Sequence, residues 1–387
     1  MSDVDDIGNA TEVTVDPDPI TWHVDRREDL LPSDTPVQLL DEYGVYHPHE
    51  QFPLSVTDDE HRAMYRHMVM ARRVDDESIK LQRQGQLAVY TSSLGQEGAQ
   101  VGSATALRAD DWAFPSYREH AVARVRGVDP SELLHHSRGT WVSVHDPREH
   151  RFASQTVSIG SHLVHAAGLA VAAKFDGTDT AAIAYFGDGA TSEGSSHEGM
   201  NFAAVFSAPV VFFCQNNGWA ISVPVTAQTA APTLAHKAIG YGMPGVRIDG
   251  NDVLASLAVT RWALDRARRG EGPTFVEALT YRMEAHSTSD DATRYRPQED
   301  LPAWARKDPI DRYTRFLTKA GLLDDEFVVG VEADAKELCT RVRADVYDAP
   351  HDRPDEVFDH VFATPTPRLE AQRAHMLREI AAREDQS

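Results

Sequence analysis

The sequence predicts an α/β protein built on a doubly wound, mainly parallel sheet flanked by helices, with helical additions at its C-terminal end. Three observations carry that prediction. Continuous apolar runs occur at residues 181–186, 210–214 and 275–280, the signature of strands buried on both faces. Stretches with helical spacing separate these runs, which is the βαβ alternation of a parallel sheet. From about Pro302 the chain becomes charged and mostly helical.

Taken in order, residues 1–56 are polar and rich in Pro and Asp, and read as an arm with little core of its own. From Asp58 the pattern turns helical, with Met64, Met68, Ala71 and Val74 on one face. Further helices are expected over Ser195–Phe206 and over Asp252–Arg269, the latter with Val253, Leu257 and Leu264 aligned. A last helix should begin at Thr366-Pro367, a capping residue followed by proline at the first helical position. The simplest partition is an arm over 1–56, an α/β domain over 57–301, and a helical region over 302–387 packed on the same domain.

Composition narrows the function. The 387 residues are 41% hydrophobic and carry a formal net charge of −22. So acidic a surface repels phosphate backbones and argues against nucleic acid as a partner. The two cysteines, Cys214 and Cys339, form no CxxC pair and no disulfide framework, and are expected to be reduced. No run approaches the ~20 apolar residues of a membrane span, so no membrane partner is expected. The N-terminus is acidic and reads as neither secretory signal nor transit peptide, so the expected location is cytoplasmic. His135/His136 and His162/His165 lack further ligands at suitable spacing and are read as structural.

The chemistry concentrates at two strand ends. The run 181–186 ends in Gly187-Asp188-Gly189, followed by a helix-forming segment. In open parallel sheets ligands sit beyond the carboxyl ends of the strands, and a helix N-terminus there favours an anion. A carboxylate at that place is informative. Against a phosphate about 4 Å away, at an effective dielectric near ~20, Asp188 costs about 4 kcal/mol in repulsion. A divalent cation between them reverses the sign, and magnesium suits oxygen ligands shared with phosphates. The run 210–214 leads into Gln215-Asn216-Asn217-Gly218-Trp219, where Asn217 can offer an amide oxygen and Trp219 its carbonyl. Each turn alone is ordinary; strand, GDG, helix, strand and NN together are not. A nucleotide-binding dehydrogenase is the first rival, but Gly187-Asp188-Gly189-Ala190-Thr191-Ser192 lacks the third glycine of its fingerprint.

Gly187-Asp188-Gly189 followed by Asn216-Asn217 resembles the thiamin diphosphate motif. The run from Tyr185 to Ser222 is similar to the alpha subunits of pyruvate and branched-chain 2-oxo acid dehydrogenases. The similarity extends from about Asp59 to the C-terminus and includes Leu81–Leu107, FPSYREH (Phe114–His120), Ile248–Ala255 and Thr280–Arg296.

That resemblance implies a thiamin-diphosphate-binding fold and a set of roles. Asp188, Asn217 and the Trp219 carbonyl would hold Mg2+. Tyr117, Arg118 and Arg282 would contact the diphosphate, beside the Gly187, Gly189 and Ala190 backbone. Ile159 would prop the cofactor into its bent form. His286 would reach the mouth of the site and assist acyl transfer, and Ser287 matches a position phosphorylated in relatives with a dedicated kinase. Val157 departs from the serine of some branched-chain members, which leaves open the potassium site that Ser158 and Ser161 resemble.

The resemblance also implies partners. The family places the glutamate that activates the cofactor on a second domain, and this chain has room for one cofactor-type unit. A beta subunit in an α2β2 assembly, a lipoyl acyltransferase core and a small 2-oxo acid substrate follow. Branched-chain 2-oxo acids are the expected substrates, with pyruvate as the alternative. A noncatalytic subunit that kept the fold is a more remote one.

Overall fold

The computed structural model describes residues 28–139, 145–348, 353–359 and 361–384. Five parallel strands form the central sheet: β1 (Trp112–Phe114), β2 (Ala182–Gly187), β3 (Val210–Asn216), β6 (Gly245–Asp249) and β7 (Thr274–Leu279), in the order β1-β2-β3-β7-β6. A small hairpin of β4 (Trp219–Ala220) and β5 (Val223–Pro224) follows β3. The three apolar runs are thus strands, shifted by one or two residues from the boundaries read in the sequence. The sequence reading missed β1 and β6. Both lie at sheet edges; β1 has three residues, and β6 carries Arg247 and Asp249 within its run.

Alternation along the strands divides the core in two. Ile183, Tyr185, Val211, Phe213 and Val276 face one side, under α2 (Glu97–Thr105) and the helix Val253–Arg268. Ala184, Phe186, Phe212, Cys214 and Phe275 face the other, under the helices Ser161–Phe175 and Gly194–Val205. Period-2 burial on both faces is what turns an alternating chain into a continuously apolar strand. α2 lies so close to the helix Val253–Arg268 that a Cβ on Gly102 would sit 2.3 Å from the Val253 carbonyl oxygen. Only glycine permits that approach.

The first long helix, α1 (Asp58–Arg83), begins with a capping box. The Glu60 N–H donates to Thr57 Oγ1 at 3.2 Å, and the Thr57 N–H donates to Glu60 Oε2 at 2.8 Å. Met64, Met68, Ala71 and Val74 are all buried, as their spacing predicts. Against α1 packs the helix Asp325–Asp348, through Val331, Ala335, Leu338, Val342 and Val346. The last helix, Pro367–Glu384, starts where expected, with the Leu369 N–H on Thr366 Oγ1 at 3.3 Å.

Part of the N-terminal arm, residues 1–27, lies outside the described residues. The rest of it contributes more core than its composition suggests. Val37 bridges to Ile248 at the β6 edge, and Leu39, Leu40 and Phe52 join the main core. The Leu39 and Leu40 N–H groups both donate to Asp252 Oδ2, at 2.7 and 2.6 Å. Polar flanking residues hid these few apolar anchors from a compositional reading. Cys214 and Cys339 are both free thiols.

Candidate functional site

The site begins with sheet register. β2 and β3 are parallel neighbours, with Gly187 opposite Gln215, so their carboxyl ends bring Asp188 beside Asn216-Asn217. After Gly187 the chain makes a tight 3-10 turn over Asp188–Ser192, and the α-helix begins only at Gly194. The helix thus starts one residue before the Ser195 read from the sequence, with the turn between it and Asp188. A Cβ on Gly189 would lie 2.8 Å from the Ala220 Cβ, so the β4 hairpin itself demands glycine there.

Asp188 is almost wholly buried. Its Oδ2 accepts from Gln228 Nε2 at 2.7 Å. Burial pushes its carboxyl above the ordinary range, against the pull of Gln228, of backbone N–H groups and of Arg282. Asn216 turns into the sheet, donating from Nδ2 to Glu277 Oε1 at 2.8 Å. Asn217 turns the other way. Its Nδ2 donates to Gln96 Oε1 at 3.2 Å, and its Oδ1 accepts the Trp219 N–H at 3.3 Å across the positive-φ Gly218.

A cavity of about 200 Å³ opens at these strand tips. Ten residues singled out in the sequence line it: Tyr117, Arg118, Ile159, Gly187, Asp188, Gly189, Ala190, Asn217, Trp219 and His286. Arg118 is buried; Nη1 donates to the Ser92 carbonyl and Nη2 to the His286 carbonyl at 3.0 Å. The Tyr117 ring meets His286 edge-on, with centroids 6.0 Å apart. Ile159 is 39% exposed on the cavity wall, just before the helix Ser161–Phe175.

Arg282 is the exception. It stands behind the lining, with Nη1 on the Trp219 carbonyl at 3.2 Å and Nη2 on the Ile221 carbonyl and Tyr295 Oη, both at 2.7 Å. Its guanidinium thus holds the β4 turn. Burial and the nearby Arg118 and Arg282 push the His286 imidazole down to about 4, with Asp290 opposing, so it is neutral at pH 7.

Several lining residues were not singled out in the sequence, among them Gln96, Glu119 and Gln215, and His162, read there as structural, also lines the cavity. Glu119 Oε1 accepts from Gln215 Nε2 and its Oε2 from Ser116 Oγ, both at 2.7 Å. The one available signal was Glu119 directly after Tyr117-Arg118. Nothing local marked Gln96, which lies before α2.

The chemistry of the wall suits an anionic ligand bound through a hard cation. Oxygen donors from Asp188 and Asn217 meet at neighbouring strand tips, while Gln96 Nε2 and His286 Nδ1 are buried there without a hydrogen-bond partner. Among the described residues no three His, Cys, Asp or Glu gather as metal ligands.

The family model of the dehydrogenase E1 component matches residues 65–355. The chain is 49% identical over 346 residues to 3-methyl-2-oxobutanoate dehydrogenase subunit alpha of Mycobacterium tuberculosis, spanning 89% of this chain and 94% of that one. It is 40% identical over 311 residues to the pyruvate dehydrogenase E1 component subunit alpha of Staphylococcus aureus, spanning 80% and 82%. With 2-oxoisovalerate dehydrogenase subunit alpha of Bacillus subtilis it shares 37% identity over 321 residues, spanning 80% and 97%.

Proposed function

The chain belongs to the dehydrogenase E1 component family as an alpha subunit of a 2-oxo acid dehydrogenase, and from that premise we propose that its substrates are branched-chain 2-oxo acids such as 3-methyl-2-oxobutanoate. The acyl group would pass to the lipoyl group of an acyltransferase core. The observation that carries this reading is the meeting of Asp188 and Asn217 on one cavity wall with Tyr117, Arg118 and His286. The similarity to two relatives named for branched-chain substrates supports the choice of substrate.

Asp188 Oδ1, Asn217 Oδ1 and the Trp219 carbonyl would hold Mg2+, and Tyr117, Arg118 and the Gly187–Ala190 backbone would hold the diphosphate of thiamin diphosphate. That cofactor, when bound, supplies the carbon nucleophile and electron sink for decarboxylation. Ile159 would give the bound cofactor an apolar wall. Arg282 acts at one remove, fixing the carbonyls of Trp219 and Ile221. His286 would face the incoming lipoyl disulfide as a neutral imidazole, with one ring N–H able to donate toward the sulfur that leaves as the S–S bond breaks.

The remaining part of the site belongs to a beta subunit in an α2β2 assembly. The two free thiols agree with a reducing, cytoplasmic setting. Among the described residues no helix is long and apolar enough to cross a membrane. Co-expression with the beta subunit, followed by decarboxylation rates for 3-methyl-2-oxobutanoate, 4-methyl-2-oxopentanoate and pyruvate, tests the proposal. The branched substrates should be faster, and the chain alone should be inactive. A pocket distinguishes one methylene by only about 1–3 kcal/mol, so the ratio of rates is the informative quantity. Preference for pyruvate would overturn the substrate assignment.

A further inference from the structure

We infer that Glu277 is a positioning residue for the turn that carries the candidate metal ligands, acting through the Asn216 side chain. The inference rests on the reading of Asn217 and the Trp219 carbonyl as ligands of Mg2+. Neither Glu277 nor Asn216 lines the cavity. Both are buried behind it.

The sheet brings them together. Glu277 stands in β7 opposite Cys214 of the neighbouring β3. Residues two apart along a strand share a face, so Glu277 and Asn216 project from the same side, towards the 3-10 helix Leu234–Tyr241. Glu277 Oε1 accepts from Asn216 Nδ2 at 2.8 Å, and Oε2 from the Ala235 N–H at 3.0 Å. Asn216 Oδ1 in turn accepts the Gly218 N–H at 3.2 Å. The sheet ladder grips this turn by its carbonyls: Asn216 accepts from the Thr280 N–H at 2.9 Å and Asn217 from the Arg282 N–H at 3.1 Å. The Gly218 N–H is gripped by the Asn216 side chain instead. That places the peptide between Asn217 and Trp219.

The polarity of this brace is fixed at both ends. A carboxylate only accepts, a main-chain N–H only donates, and the Asn216 amide lies between one of each. Reversing the amide sets oxygen against carboxylate and NH2 against N–H. Glu277 cannot turn to accommodate that, because its two ends are alike and Oε2 is held by Ala235. Burial of a carboxylate is costly, and the ion pair of Glu277 with Arg247 Nε is long, at 3.5 Å. An apolar side chain would pack under the 3-10 helix at lower cost. The charge is accounted for by the two donors it orders.

The test exchanges the two chemistries across the contact. Its readout is the Mg2+ concentration at half-maximal thiamin diphosphate uptake, measured by calorimetry on the co-expressed alpha–beta complex below its melting transition. Hydrogen exchange over residues 217–220 is followed before cofactor is added. Asn216→Asp sets two carboxylates face to face, and Glu277→Gln sets an amide donor against either Asn216 Nδ2 or the Ala235 N–H. Each should raise the Mg2+ requirement about tenfold, the lower end for losing a contact behind a metal ligand, and should quicken exchange. The pair Asn216→Asp with Glu277→Gln restores a donor facing an acceptor at every contact and leaves the net charge unchanged. It should return to within about threefold of the parent, with slow exchange.

A double variant no better than the worse single one would overturn the inference, since packing alone would then explain the losses. Asn216→Ala covers the case in which a single variant fails to fold. It breaks the brace without opposing like groups, and a requirement equal to the parent's would also overturn it. Asp188→Ala separates the two levels. If that change leaves the Mg2+ requirement untouched, the metal-site reading fails and takes the brace with it; if it raises the requirement while Asn216→Ala does not, only the brace fails.

Discussion

The two halves of the site are built by different means. The strand-tip half, Gly187–Ala190 and Gln215–Trp219, grows directly from a parallel ladder whose residues are almost all buried. The loop half, Arg282–Arg296, has no ladder. It is held by charge-assisted hydrogen bonds: Arg118 to the His286 carbonyl, the His286 N–H to Asp290 Oδ2 at 2.9 Å, Tyr295 Oη to Asp290, and Arg296 to the carbonyls of Arg282 and Glu284. Ladder geometry fixes positions with little tolerance, which suits metal ligands. A loop held by polar contacts at its stem can shift when those contacts change, which suits a residue that must meet a visiting carrier.

Breaking the strand-tip half should have the largest effect. Asp188→Ala is expected to raise the Mg2+ requirement for cofactor uptake more than ~100-fold, since a direct ligand exceeds the ~10–100-fold scale of outer contacts. The melting temperature of the cofactor-free chain should not fall, because burial makes the charged carboxylate unfavourable there. Calorimetry on the alpha–beta complex measures the first and thermal melting of the cofactor-free chain the second; unchanged uptake would remove the metal site.

Next in size is the loop. Asp290→Asn keeps the shape but loses the charge that holds the His286 N–H and Tyr295 Oη. Charged hydrogen bonds contribute about 1.5–3 kcal/mol, so acyl transfer should slow by about tenfold or more. Hydrogen exchange over residues 284–292 should quicken, and the Mg2+ requirement should not move. An equal change in both would mean that the halves are not separable.

Gln228→Met sharpens the comparison from the other side. It removes the donor on Asp188 Oδ2 and should raise the Mg2+ requirement by about tenfold or less. Loop exchange should stay as in the parent protein.

The smallest effect is a matter of pH. His286 is pushed down to about 4, below the ~6.5 of a free imidazole, so protons bind the unfolded state first. Its contribution to stability is full above ~6.5 and is lost as pH falls toward 4. NMR titration of the ring in the folded chain checks this, and acyl transfer should show no inflection near ~6.5 that His286→Asn abolishes. A ring that titrates near neutrality would contradict the burial argument.

By itself the sequence determined the parallel α/β architecture, the three central strands, the α1 face, and the gathering of Asp188 and Asn217 at neighbouring strand tips. These follow from period, strand-end position and turn chemistry, which are local in the chain and survive any detail of packing. Tertiary structure alone decided that Arg282 stands behind the cavity, that His286 is neutral, that Leu39 and Leu40 join the core, and that Gln96 and Gln228 hydrogen-bond to the two candidate ligands. Gln96 and Gln228 lie 121 and 40 residues from the atoms they touch. Burial and electrostatic field are sums over neighbours that only the folded chain brings together, so no local pattern could have encoded them.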